Sequence, residues 1–239
     1  MVDVTSIRRE VRYGMPAADQ VIFNRHYVVG YSYYFRQAKW ALEIVDPDKT
    51  DVRRVDSFRP DYRIPEMFRA DLVDYENSGY DRGHLVASAN QIETGVQNSE
   101  TFLLSNMSPQ KPQFNRGIWR QLEEAVRELD SDPKIFETYV ICGPVFDYRQ
   151  AVDTIGSADD NEVSLPIPNA YFKSVLTENH RGKLQMWSFI IPNEDTDKSP
   201  EDFRVPTLRV EQYAGIKLWS NLEGSKIERE KKRVRSYWG

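Results

Sequence analysis

Cysteine is almost missing from this chain. Its 239 residues include one, Cys142, so no disulfide can form within it. Histidine is scarce as well, with His26, His84 and His180 far apart. One thiol and three dispersed imidazoles do not make a usual zinc site. No apolar run approaches the ~18 residues of a membrane span. The opening MVDVTSIRRE has no apolar stretch of the secretory-signal kind. These features point to the cytoplasm and exclude a membrane protein. No GxSxG, Walker A or GxGxxG pattern occurs, which removes the commonest serine-hydrolase and nucleotide-binding readings. Positive charge is not in excess either, since 32 Lys and Arg face 37 Asp and Glu for a net charge of −5. A polyanionic partner would therefore have to be met by a local basic face. Arg53, Arg54, Arg59, Arg63, Arg69 and Arg82 are candidates for that face, or for a solvated loop with scattered ion pairs.

What is present is enough for a core: 40% of residues are hydrophobic. The expected fold is a single α+β domain over 1–239, with its core at about 20–222 and a mixed or antiparallel sheet. The run VIFNRHYVVGYSYYFRQAKWALEIV (21–45) predicts two antiparallel strands turning near Gly30 or Arg36-Gln37. Asp46 to Gly79 is charged and carries Pro60 and Pro65, so it reads as turn and loop. Thr138 to Phe146 predicts a strand broken at Gly143-Pro144. Ala170–Leu176 and Leu184–Ile191 predict paired strands, and Val210–Leu222 a short amphipathic helix. The tail SKIEREKKRVR (225–235) suits a solvated helix with Glu–Lys pairs. Nucleic-acid binding, oligomerisation or the start of a further segment are its other readings.

The chain is organised around Tyr80–Glu124. His84 leads into Leu85-Val86-Ala87, and Thr101–Asn106 reads as a second strand. Met107–Gln113, with Pro109 and Pro112, reads as a turn. From Asn115, residues Ile118, Trp119, Leu122, Ala125, Val126 and Leu129 recur at helical spacing. Asp81-Arg82-Gly83-His84, Ser105-Asn106-Met107-Ser108-Pro109-Gln110 and Asn115-Arg116-Gly117-Ile118-Trp119 with Leu122-Glu123 occur in that order. Together they resemble the DNA/RNA non-specific endonuclease family. The resemblance is sharpest over 80–145 and continues more weakly through Val140–Phe146 and Ile167–Lys173.

The resemblance implies a ββα-metal active-site motif and a Mg²⁺-dependent endonuclease, with Mn²⁺ as a substitute ion. It implies cleavage of DNA and RNA that leaves 5′-phosphate and 3′-hydroxyl ends. No sequence-readout motif is visible, which favours backbone-directed cutting. His84 becomes the general base, since an imidazole suits removing a proton from water near neutral pH. His26 and His180 lie far from the motif and read as structural or surface residues. Asn115 becomes the metal ligand, a role compatible with a position at a helix start. On a regular helix Glu123 would stand about 12 Å along and about 80° around from Asn115. It therefore reaches a metal-bound water more easily than the ion. Asn106 would orient His84 or the water shell of the ion. Arg82 would bind phosphate, and Asp81 would fix the loop or the metal–water network. Arg59, then Arg63, are the upstream candidates for a second phosphate contact. A homodimer and a protein inhibitor or activator are the partners compatible with the resemblance. The alternatives are a regulated effector, silent until switched on, and a non-catalytic nucleic-acid-binding module.

Overall fold

The aromatic and β-branched run at the start of the core forms three strands rather than two. A computed structural model, which describes residues 8–45, 52–147, 149–156 and 163–238, places them at β1 (Gln20–Phe23), β2 (Tyr27–Ser32) and β3 (Gln37–Val45). Arg36 takes a left-handed φ of 54° in the second turn. Gly30 is not a turn residue. It pairs with Trp40 in the ladder, and a Cβ there would lie 2.0 Å from the Trp40 ring. Glycine is needed for that close approach.

The chain continues through β4 (Asp81–His84), α1 (Gly95–Glu100), β5 (Met107–Gln110), the helical turn α2 (Pro112–Phe114), α3 (Arg120–Asp130) and β6 (Ile135–Val145). Then come β7 (Thr154–Ile155), β8 (Leu165–Pro166), β9 (Ala170–Asn179), β10 (Leu184–Pro192), β11 (Arg204–Val205), α4 (Thr207–Ala214) and α5 (Ser225–Lys231). β6 runs unbroken through Gly143-Pro144, and α4 begins and ends earlier than the expected Val210–Leu222. The expected turn residues 46–51 lie outside the described residues.

Seven strands form one sheet in the order β1-β2-β3-β6-β9-β10-β11, and every neighbouring pair is antiparallel. This is the expected α+β class. The sheet buries both faces. One packs Val29, Ala41, Val140, Cys142, Tyr171 and Val175 under Leu85, Val86, Phe114, Ile118, Trp119, Leu122 and Val126. The other packs Val28, Trp40, Leu42, Ile141 and Phe172 against Val11, Val210, Leu218 and Trp219. Each large apolar side chain so buried contributes about 1.5–3 kcal/mol. The first of these layers carries the motif run Tyr80–Glu124 and holds it against the sheet.

The stretch after 222 is built into the fold. α5 exposes Lys226, Glu228 and Arg229, but Lys231 is buried and donates to Glu211 Oε1 at 2.8 Å and Leu218 O at 2.7 Å. The Trp238 indole donates to Ala125 O on α3 at 2.9 Å. Among the described residues no helix is long and apolar enough to cross a membrane.

Candidate active site

β4 and β5 form a two-stranded ribbon, with Asp81 opposite Gln110, Arg82 opposite Pro109, Gly83 opposite Ser108 and His84 opposite Met107. The second strand is thus Met107–Gln110, not Thr101–Asn106; residues Leu104–Asn106 coil into a 3₁₀ turn. The misreading has a physical cause. Pro109 cannot donate to a ladder, which argues against a central strand but not against this edge position. Its carbonyl is used instead, accepting from Tyr171 Oη at 2.8 Å and Asn193 Nδ2 at 3.1 Å. Gly83 packs tightly, since a Cβ would lie 2.1 Å from the Gln110 side chain and would push it aside.

The ribbon, the upstream loop and α3 enclose a cleft of about 690 Å³, whose lining includes Arg54, Phe58, Asp81, Arg82, His84, Asn115, Arg116, Glu123 and Arg127. His84 meets Phe58 and Phe102 edge-on, with ring centroids 5.8 and 4.9 Å away. Its Nε2 is buried there without a hydrogen-bond partner. Burial first, then the nearby Arg54 charge, pushes the His84 pKa down to about 3, against a small opposing pull from Asp56. The imidazole is therefore neutral throughout the neutral range.

Asn115 follows α2 directly, in helical geometry, rather than opening the helix; the backbone N–H of Asn115 bonds to Lys111 O at 2.9 Å. Residues Asn115–Trp119 form a widened π-type turn, with Gly117 at non-helical φ −100°, ψ −110°. Such bulges often mark functional sites. The turn also voids the regular-helix separation expected between Asn115 and Glu123, and both line the one cleft. Asp81 Oδ2 accepts from Asn115 Nδ2 at 2.9 Å. That bond engages the amide nitrogen and leaves the carbonyl oxygen for a ligand. Asp81 is held in turn by the Arg116 guanidinium at 2.9 and 2.6 Å.

Glu123 Oε1 is buried with no partner. Burial raises the Glu123 pKa, against the pull of Lys173 and Arg127. An amide oxygen and an unsatisfied carboxylate oxygen are hard donors, and among the described residues no group of three His, Cys, Asp or Glu gathers as a metal cage. This donor set fits a hard divalent ion held by few protein groups.

Asn106 is fully buried, away from the cleft. Its Oδ1 accepts from Val86 N at 3.0 Å, and Nδ2 donates to Val86 O and Thr101 O at 3.0 and 2.9 Å. It clamps the backbone two residues beyond His84 rather than touching the imidazole. Arg59 and Arg63 do not reach the cleft. Arg59 donates to Ser57 O and Ser99 O, both at 2.9 Å, and Arg63 is bidentate to Asp61 at 2.8 and 2.7 Å. The upstream arginine at the site is Arg54, whose Nη1 donates to Ser88 Oγ at 3.2 Å. Arg82 does line the cleft, with its guanidinium 4.4 Å from the Phe58 ring centroid. Arg54, Arg82, Arg116, Arg120 and Arg127 outnumber Asp81, Glu123 and Glu124 there. This is the local basic face that a chain of net charge −5 needed. Sequence reading missed Arg120 and Arg127; their one available signal was their position one and three turns along the motif helix.

Comparison with known proteins agrees with the geometry. The model of the DNA/RNA non-specific endonuclease family matches residues 6–225. Mitochondrial endonuclease G of Caenorhabditis elegans is 32% identical, over 92% of this chain and 74% of that protein. Human mitochondrial endonuclease G is 31% identical, over 88% and 73% respectively. A solved structure of an EndoG/EndoGI complex contains a chain superposing with a TM-score of 0.81 at 31% identity, covering 91% of this chain and 92% of that one. With the cleft, the motifs and these relatives in agreement, the chain belongs to the DNA/RNA non-specific endonuclease family, whose members are metal-dependent nucleases that hydrolyse phosphodiester bonds.

Proposed function

We propose that this endonuclease is Mg²⁺-dependent, that His84 is its general base and Asn115 its metal ligand, and that it leaves 5′-phosphate ends on DNA and RNA. The observation that carries this is the convergence in one cleft of a neutral, half-buried imidazole, an amide oxygen left free by Asp81, and an unpartnered Glu123 oxygen. Asn115 through Oδ1, and Glu123 at one remove, would hold the ion. When bound, it would neutralise charge on the phosphorane-like transition state and on the departing O3′. Mn²⁺ would substitute, being a similar hard cation.

The chain's own groups do the rest. A neutral His84 with its proton on the sealed Nε2 has its lone pair on Nδ1, which accepts the proton of the attacking water. The arginines bind phosphate oxygens, Arg82 lining the cleft over the Phe58 ring and Arg54 through the guanidinium nitrogens left over from its Nε bond to Asp56 Oδ1 at 2.7 Å. Arg54 takes over the phosphate-binding part that the sequence suggested for Arg59 and Arg63. Asp81 positions Asn115, and Asn106 positions the backbone behind His84. A protein inhibitor as a regulating partner is supported by the relative solved as an EndoG/EndoGI complex. A homodimer is kept as part of the same proposal, to be tested by sedimentation.

The test is degradation of supercoiled plasmid and total RNA by purified protein with Mg²⁺ or EDTA, beside His84→Ala. Cutting of both substrates that requires Mg²⁺ and His84 supports the assignment. Folded wild-type protein that cuts neither, with Mg²⁺ or Mn²⁺, would favour an effector awaiting an activator.

A further inference from the structure

One face of α3 looks into the cleft. Arg120, Glu123, Glu124 and Arg127 all line it, and offsets of three, four and seven residues put them on one side of a helix. Arg116, four residues before Arg120, lines the same cleft from the widened turn. The row presents three cations and two anions to a polyanionic substrate. From Arg120 to Arg127 the helix rises about 10.5 Å. That is long enough to meet more than one phosphate of a strand whose charges recur every ~3.4 Å of axis.

The cleft cations are not equally committed. Arg116 is bidentate to Asp81 at 2.9 and 2.6 Å. Arg127 Nη1 donates to Asn90 Oδ1 at 3.1 Å. Arg54 donates to Asp56 Oδ1 at 2.7 Å and to Ser88 Oγ at 3.2 Å, and Arg82 packs on the Phe58 ring. Among the described residues the Arg120 guanidinium has one charged partner, Glu124, with a closest N···O distance of 3.8 Å. That is too long for a hydrogen bond. The two side chains are 64% and 52% exposed, and Arg precedes Glu, the less favourable order for a helical pair. Exposed pairs of this kind contribute little. A guanidinium on a phosphate makes two parallel charge-assisted bonds and is held more strongly.

We propose that Arg120 and Glu124 form an exchangeable pair at the cleft: Glu124 holds Arg120 in the free enzyme, and Arg120 transfers to a substrate phosphate other than the scissile one when a polynucleotide enters. This rests on the site assignment above, in which the scissile phosphate lies at His84 and Asn115. The exchange replaces a weak, solvent-screened pair by a stronger guanidinium–phosphate contact. It also leaves Glu124 as an uncompensated carboxylate facing the polyanion. Like charges set against each other weaken association, so Glu124 limits how tightly substrate and product are held. Arg120 is thereby a substrate-binding residue, and Glu124 sets the affinity against it.

The variants are Arg120→Gln, Arg120→Lys and Glu124→Gln, each checked for folding by thermal melting. The probe is a fluorescently labelled single-stranded oligothymidylate, bound in EDTA across a salt series and read by anisotropy. Cleavage of the same strand in Mg²⁺ supplies kcat and KM. Arg120→Gln is expected to weaken binding about three- to tenfold, as loss of one charge-assisted phosphate contact does, and to raise KM more than it lowers kcat. It should also make the salt slope shallower by about 0.7, the single-strand value for one phosphate contact. Arg120→Lys keeps the cation and should keep the slope. Glu124→Gln should tighten binding by about two- to threefold, since it removes the opposing charge. Wild-type affinity and salt slope in folded Arg120→Gln would overturn the proposal. So would a Glu124→Gln enzyme that binds as weakly as Arg120→Gln, because the carboxylate would then be aiming Arg120 rather than releasing it. Asn115→Ala in the same series keeps the two levels apart. Wild-type kcat in Asn115→Ala sinks the site assignment itself, whereas an inactive Asn115→Ala beside a wild-type-like Arg120→Gln sinks only the exchange.

Discussion

Asp81 Oδ2 accepts the Asn115 amide proton at 2.9 Å, so an acid on the first strand of the motif decides which end of an amide on its helix faces the cleft. The two residues are 34 apart in the chain. Asp81→Ala is expected to lower kcat on the order of 10–100-fold with a raised metal requirement, as loss of a ligand's orienting partner does. A metal titration of cleavage checks it; an unchanged half-saturating Mg²⁺ concentration would remove Asp81 from this role.

The two upstream arginines make opposite predictions. Arg54→Ala should weaken binding to DNA and RNA alike and reduce the salt slope of binding by about one ion. Arg59→Ala should leave that slope unchanged and lower stability instead, because its guanidinium ties Ser57 to Ser99. Binding measured over a salt series, in EDTA to prevent cutting, distinguishes them.

Asn106→Ala leaves Val86 N, Val86 O and Thr101 O without their buried side-chain partner. Unsatisfied buried groups cost about 1–3 kcal/mol each. Urea unfolding should show a loss of roughly that size or more, with activity falling even in the folded fraction as the backbone after His84 loosens. A variant as stable as wild type would contradict the clamp.

His84 gives a signed pH effect on stability. Its folded pKa, about 3, lies below the ordinary value of 6.5. Between those values the unfolded chain binds more protons, so its contribution is complete above pH ~6.5 and is lost as pH falls toward 3. Glu43 acts oppositely: burial raises its pKa from 4.5 to about 7, and its contribution is lost as pH rises through that window. His84→Gln should therefore lose less stability than wild type between pH 6.5 and 4, measured as urea midpoints. Parallel curves would contradict an imidazole held neutral by the fold.

The grouping of His84, Asn115 and Glu123 in one cleft was legible because it is local. The linked motifs around His84, Asn115 and Glu123 name residue types and spacings that one hairpin and one helix can bring together. The α+β class followed from the alternating β-rich runs, and the β9–β10 hairpin from its turn. Other features depend on contacts distant in sequence. Met107–Gln110 becomes a strand because Tyr171 and Asn193 use the Pro109 carbonyl. Gly30 is a strand residue because Trp40 lies against it. Arg54 rather than Arg59 reaches the cleft because Ser57 and Ser99 capture the latter. The burial of Lys173 was invisible as such, since it follows from strand pairing with Cys142 and packing under Trp119.

The most direct measurement is cleavage of plasmid by wild type and Asn115→Ala across a Mg²⁺ titration, with folding checked by thermal melting. A side chain that holds the ion predicts a folded variant that loses most of its kcat, on the order of 10²-fold or more, and needs far more Mg²⁺ for what remains. A folded Asn115→Ala enzyme with wild-type kcat and an unchanged Mg²⁺ dependence would contradict the assignment of Asn115, and with it the site built around the Asp81–Asn115 bond.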